Sequence, residues 1–139
     1  TAADRLVEIH DTHHPLGPSL YYEDQRAEAA RRARVFREAR LPKFLDYFEA
    51  VLADNRVNNA YLLRDETSHP DLAVFQILEG LDYAFPILMG QLRPSYPLLA
   101  GLRHRISVRP RIAAYLASSR RAPFNNSGIF RCYPELDAS

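Results

Sequence analysis

Apolar residues recur at helical spacing along most of the chain, and strictly alternating, strand-like runs are nearly absent. In residues 27–52 alanine, arginine and leucine dominate, and Phe36, Leu41, Phe44, Phe48, Val51 and Leu52 return on one face. Glu28 stands four residues before Arg32 and Arg34 four before Glu38, the spacing of a solvated flank with weak ion-pair support. Pro42 interrupts this stretch and predicts a kink or a break. Upstream, residues 2–22 start as helix, but Pro15, Gly17 and Pro18 must bend or divide it.

The strongest local signal lies in residues 61–71. Ser68 and Asp71, three apart, form a capping box with Asp in place of Glu: the hydroxyl takes an orphan backbone N–H and the carboxylate reaches back to the cap amide. Pro70 falls in the first turn, where its missing N–H would lack a helical partner anyway. Leu72, Ala73, Val74, Phe75, Ile77, Leu78 and Leu81 then make a helix apolar on nearly every side, as expected for the middle of a domain. Pro97 opens a further helix running to about Val108. Pro110 opens another, with Ile112, Tyr115 and Leu116 inward and Arg111 outward. Beyond Arg121, Pro123, the cluster Asn125, Asn126, Ser127, Gly128, and Pro134 predict a turn-rich tail, clamped to the body by Phe124, Phe130 and Tyr133. The pattern predicts an all-α bundle of five to six helices with a packed tail.

At 139 residues the chain has the length of one domain, and 1–139 reads as a single helical unit. Its 18 basic and 17 acidic residues leave a net charge of +1, which gives no reason to expect nucleic acid or an anionic membrane surface as partner. Of the basic residues 17 are arginine, yet those between Arg26 and Arg40 alternate with Glu28, Glu38 and alanines, so no basic face forms. The most apolar stretch, residues 72–92, is broken by Glu79, Asp82, Pro86 and Gly90 and is no membrane span. A single cysteine, Cys132, excludes an internal disulfide and points to a reducing compartment.

Candidate chemistry is sparse. His10, His13 and His14 stand at i, i+3 and i+4, but the HExxH arrangement is missing and Pro15 follows directly; the expectation is a helix-end histidine cluster and no metal. His104, between Arg103 and Arg105, reads as a surface residue, and Cys132 as an idle thiol with no neighbouring histidine. There is no nucleophile elbow, P-loop or dinucleotide fingerprint. Tyr21 and Tyr22 follow the Pro/Gly bend, where paired aromatics serve either as core or as the wall of an apolar ligand cleft.

Three segments in order resemble the C-terminal helical domain of soluble glutathione transferases of the alpha, pi and sigma-like branch. VRPRIAAYLASSRRAPFNNSG, residues 108–128, is similar to the family's penultimate helix and tail. YLLRDETSHPDLAVF, residues 61–75, is similar to its capping-box segment. Asp11 with Tyr21 ten residues on resembles the family's pairing of an aspartate that reaches the γ-glutamyl amine of glutathione in the neighbouring subunit with a tyrosine that lines the electrophile pocket. Arg64 and Thr67 depart from the pattern, the first where a small residue is usual and the second where an apolar staple is.

The resemblance implies a cytoplasmic, homodimeric enzyme that adds glutathione, its co-substrate, to hydrophobic electrophiles. No catalytic residue falls in this chain, because the family's thiol-activating residue lies in a thioredoxin-like N-terminal domain and no βαβ pattern precedes the helices here. The chain by itself is expected to bind apolar ligands weakly and to turn over little. The alternative is a non-catalytic interaction or ligand-binding module of the same fold.

Overall fold

A buried central helix organises the domain. In the computed structural model, which describes residues 2–138, α4 (His69–Ala84) places Asp71, Val74, Phe75, Ile77, Leu78, Gly80, Leu81 and Ala84 out of solvent. Its start is the expected capping box, with Asp71 Oδ2 accepting from the Ser68 amide at 2.8 Å. Asp71 is fully buried, and its other oxygen accepts from the Leu62 amide at 2.8 Å, tying the preceding loop to the helix. One face of α4 is wetter than its sequence suggests: Leu72, Ala73 and Gln76 are exposed, because nothing covers the side away from the bundle.

Around α4 stand α1 (Ala2–Asp11), α2 (Arg26–Val35), α3 (Leu41–Asp54), α5 (Pro86–Leu92), α6 (Pro97–Ser107) and α7 (Pro110–Leu116), with no strand among the described residues. Of the kink or break expected at Pro42, the break does not occur and the helix is distorted just before it. Residues Phe36–Arg40 form a π turn, and the backbone stays right-handed helical from Val35 to Leu41, so α2 and α3 make one rod. Widening by one residue relieves the clash a proline ring makes with the preceding turn, at the cost of a local bulge. With α2 and α3 joined there are six helical rods, within the number expected. Nor do the expected flank pairs form: Arg32 turns to Asp11 of α1, and neither Glu28–Arg32 nor Arg34–Glu38 comes within ion-pair distance. Glu8 ties α1 to the rod through Arg40 at 2.7 Å, and that hydrogen bond holds its carboxyl below the usual range.

Two helices borrow their N-terminal caps from distant segments. Glu49 on α3 accepts from the amides of Leu98 and Leu99 at 2.8 and 2.9 Å, opening α6. Buried Asp137 accepts from those of Ile87 and Leu88 at 2.8 and 3.1 Å, opening α5 after a turn of 119° from α4. In both cases a carboxylate meets the partial positive charge of a helix start.

The tail closes over this frame as expected. Phe130 lies directly on α4, where a Cβ on Gly80 would stand 2.2 Å from its ring; only the absence of that side chain allows the approach. Phe124 stacks on Tyr83 at 5.1 Å and Tyr133 on Tyr22 at 3.8 Å. The inward placing of Tyr115 fails: α7 buries no residue and Tyr115 is exposed, while Ile112 and Leu116, half-buried, pack against the core.

Candidate functional cleft beside the first bend

The loop after α1 is shaped from within. Thr12 ends the helix by donating its hydroxyl to the Ile9 carbonyl at 2.7 Å. Fully buried Gln25 then gathers the bend: its Oε1 accepts from the Leu16 amide at 2.9 Å, and its Nε2 donates to the carbonyls of Gly17 and Leu20, both at 3.3 Å. A buried amide with donor and acceptor both used fixes a turn as firmly as a short helix would. The Tyr21 amide donates to Asp24 at 3.1 Å, and a 3₁₀ turn, Tyr22–Gln25, leads into α2.

The tyrosine pair divides at this point. Tyr22 is buried against Tyr133 and donates its hydroxyl to Glu135 at 2.8 Å; burial, with that carboxylate, pushes its pKa upward. Tyr21 faces outward with 78% of its surface exposed. It lines an open cleft of about 420 Å³ together with His14, Pro18, Ser19 and Leu20 from the bend and Asn126, Ser127 and Arg131 from the tail. That volume falls in the range of small-molecule clefts. Arg131 is oriented by the carbonyls of Gly128 at 2.8 Å and Ser127 at 3.4 Å, and among the described residues no carboxylate lies within ion-pair distance of it. The cleft thus has a mostly polar lining with a small apolar lip of Pro18 and Leu20, a phenol and a positively charged wall.

Asp11 lies at the end of α1, outside the lining of this cleft. Its carboxylate is 3.7 Å from His10 and 3.7 Å from Arg32, with about a third of the side chain exposed. Of the two sequence-selected residues, Tyr21 lines the cleft and Asp11 does not. His104 is exposed, as expected. Cys132 is half-buried, and burial raises its thiol pKa, with Asp137 and Glu135 adding to the effect.

Sequence reasoning missed Gln25, His14 and Arg131 as parts of the cleft. Arg131 joins it only when the tail folds back, and no local spacing announces that. Gln25 carried a weak signal, a lone amide after a Pro/Gly bend, which is the kind of residue that bonds several loop backbone groups.

Fold and cleft together define an all-helical domain with an open cleft beside its first bend. The family model of the glutathione S-transferase C-terminal domain matches residues 10–119, and the chain belongs to that family. It is similar to glutathione S-transferase P of Capra hircus, 30% identical over 90 residues that cover 63% of this chain and 41% of that protein. It is likewise 30% identical over 89 residues to a glutathione S-transferase of Plasmodium yoelii yoelii, covering 64% and 40%. To glutathione S-transferase P 1 of Xenopus laevis it is 33% identical over 82 residues, covering 58% and 36%. The chain spans about two fifths of the length of these relatives. Among the described residues no single helix is long and apolar enough to cross a membrane.

Proposed function

We propose that residues 1–139 act as one domain, the helical half of a cytoplasmic, homodimeric glutathione transferase that joins glutathione to hydrophobic electrophiles. The observation that carries this reading is the Tyr21 cleft: in a family of transferases, an exposed phenol stands on a bend locked by Gln25 and faces an apolar lip of Pro18 and Leu20. In the reaction the glutathione thiolate forms a carbon–sulfur bond at the electrophilic carbon, and a leaving group departs or the carbanion takes up a proton.

Activation of the thiol falls to a thioredoxin-like half, where hydrogen bonds to sulfur favour its charged form. This chain holds the electrophile near the thiolate and sheds water from it, so its contribution is proximity and desolvation. Asp11, about a third exposed and held only in long ion pairs, supplies a counter-charge to the glutathione ammonium across the subunit boundary. The chain alone binds apolar ligands and turns over little.

The test is glutathione-dependent conjugation of a chromogenic aryl halide by the dimeric protein that contains both halves. Tyr21→Ala is expected to lower kcat/KM for the electrophile about tenfold, the worth of one well-placed contact of roughly 1.4 kcal/mol. Asp11→Ala is expected to raise the KM for glutathione and leave that for the halide unchanged. Wild-type protein with no conjugating activity, or both variants equal to wild type, would favour the interaction module instead.

A further inference from the structure

Three imidazoles meet where α1 ends. His10, His13 and His14 each offer a ring nitrogen, and these nitrogens all lie within 4.8 Å of one another. His13 is 1% exposed and His14 8%, while His10 is half-buried at the mouth. Sequence spacing alone argued against a metal here because the HExxH pattern is missing, but that pattern assumes an unbroken helix. The chain leaves the helix at Asp11, so His13 and His14 reach back over its last turn toward His10, with ring centroids 5.0 and 5.4 Å from it.

The orientation of His13 is set from the tail. Its Nε2 lies 2.8 Å from the Ile129 carbonyl oxygen, an acceptor only, so Nε2 carries the proton and Nδ1 keeps its lone pair. That lone pair points at His14 Nδ1, 2.6 Å away. A carbonyl fixing one ring nitrogen so that the other faces a cluster is the outer-shell arrangement that orients metal-bound histidine.

We infer that His10, His13 and His14 form a site for one divalent transition-metal ion of the zinc class, three imidazole ligands with a fourth position open toward solvent. Imidazole nitrogens suit zinc, copper and nickel, whereas magnesium and calcium require oxygen ligands. Ligand nitrogens of a tetrahedral zinc ion stand about 3.3 Å apart, as follows from bonds of about 2.0–2.1 Å. Loading therefore opens the His13–His14 contact by less than about 1 Å, moves the His14 proton off Nδ1, and swings the half-buried His10 ring inward. Asp11 beside His10 and Glu23 facing His14 favour the cation, while Arg131, near both His13 and His14, and Arg32, paired with Asp11, oppose it. The site stands whether or not the transferase reading does.

The test is calorimetric titration of the full chain, freed of metal by chelator, with zinc chloride. Expected are one ion per chain and a rise in thermal midpoint on loading. Cobalt(II) in the same position is expected to show the visible absorption of a tetrahedral site. His13→Ala would open the core, so the variants are His10→Ala and His14→Ala, each weakening zinc binding at least about tenfold. Both are expected to keep the metal-free circular dichroism spectrum, and His104→Ala to bind as wild type. Stoichiometry well below one, or variants that bind zinc like wild type, would overturn the site; the latter would place the ion on other groups.

Discussion

Asp71 and Asp11 stand at opposite ends of two helices and in opposite circumstances. Asp71 is fully buried at the start of α4, and both of its oxygens accept backbone N–H groups at 2.8 Å. Asp11 closes α1 with about a third of its side chain exposed and only ion pairs of 3.7 Å. The first is committed to the fold, since removing it strands amides that nothing else can satisfy. The second holds little together. Carboxylates of one residue type thus differ in what they contribute to the fold by what their oxygens already hold.

The largest expected effect tests that division directly. Asp71→Ala is expected to destabilise the chain by roughly 3–4 kcal/mol, the sum of a lost cap and two orphaned amides. Asp11→Ala is expected to cost less than about 0.5 kcal/mol, as exposed ion pairs do. Urea midpoints of the two variants decide; similar losses would erase the contrast between them.

Acid sharpens it next. Burial holds the His13 imidazole down to about 4, well below the 6.5 of an unfolded histidine. Between these values the unfolded chain takes up a proton the folded chain refuses. Stability is therefore full above about pH 6.5 and falls by on the order of 3 kcal/mol as pH drops toward 4. His14, shifted the same way, adds to the slope. Urea unfolding between pH 7 and 4.5, with chelator present, measures the loss; a His13→Asn variant that unfolds with the same acid slope would assign it elsewhere.

A smaller effect separates the tail from the frame. Gly80→Ala forces Phe130 off α4 and is expected to cost about 2 kcal/mol, as overpacking does. Gly90→Ala, where an added Cβ meets nothing within 4 Å, is expected to stabilise by about 0.5 kcal/mol through helix propensity. Thermal melts of the pair check both signs. Smallest of all, Tyr21→Phe is expected to leave stability within about 0.5 kcal/mol of wild type, because the residue is exposed and makes no hydrogen bond through its hydroxyl among the described residues.

How much was legible follows the range of each interaction. The Ser68–Asp71 box was readable because cap and partner lie within one turn, as were α6 and α7 with their opening prolines. Asp11 was picked out by resemblance and Tyr21 also by its place after the Pro/Gly bend, whereas the make-up of the cleft was not foreseen, because three of its eight lining residues, Asn126, Ser127 and Arg131, arrive from the tail. Pro42 left a kink or a break open because the rule for proline in helices does not say whether a helix will break or deform, and the π turn at Phe36–Arg40 is the deformation taken. Tyr115 misled because periodicity marks an apolar face without showing whether a neighbour is there to cover it.

By itself the sequence determined the helices other than α5, the capping box and the all-α class, since each depends on residues a few positions apart, where side-chain spacing and backbone geometry are linked directly. Tertiary structure alone decided that Glu49 and Asp137 would cap α6 and α5, that Ile129 would turn His13 toward its neighbours, and that Arg131 would face Tyr21. These partners are 49 to 116 residues apart where hydrogen bonds join them, and the only force that selects them is the burial of the core that brings their segments together.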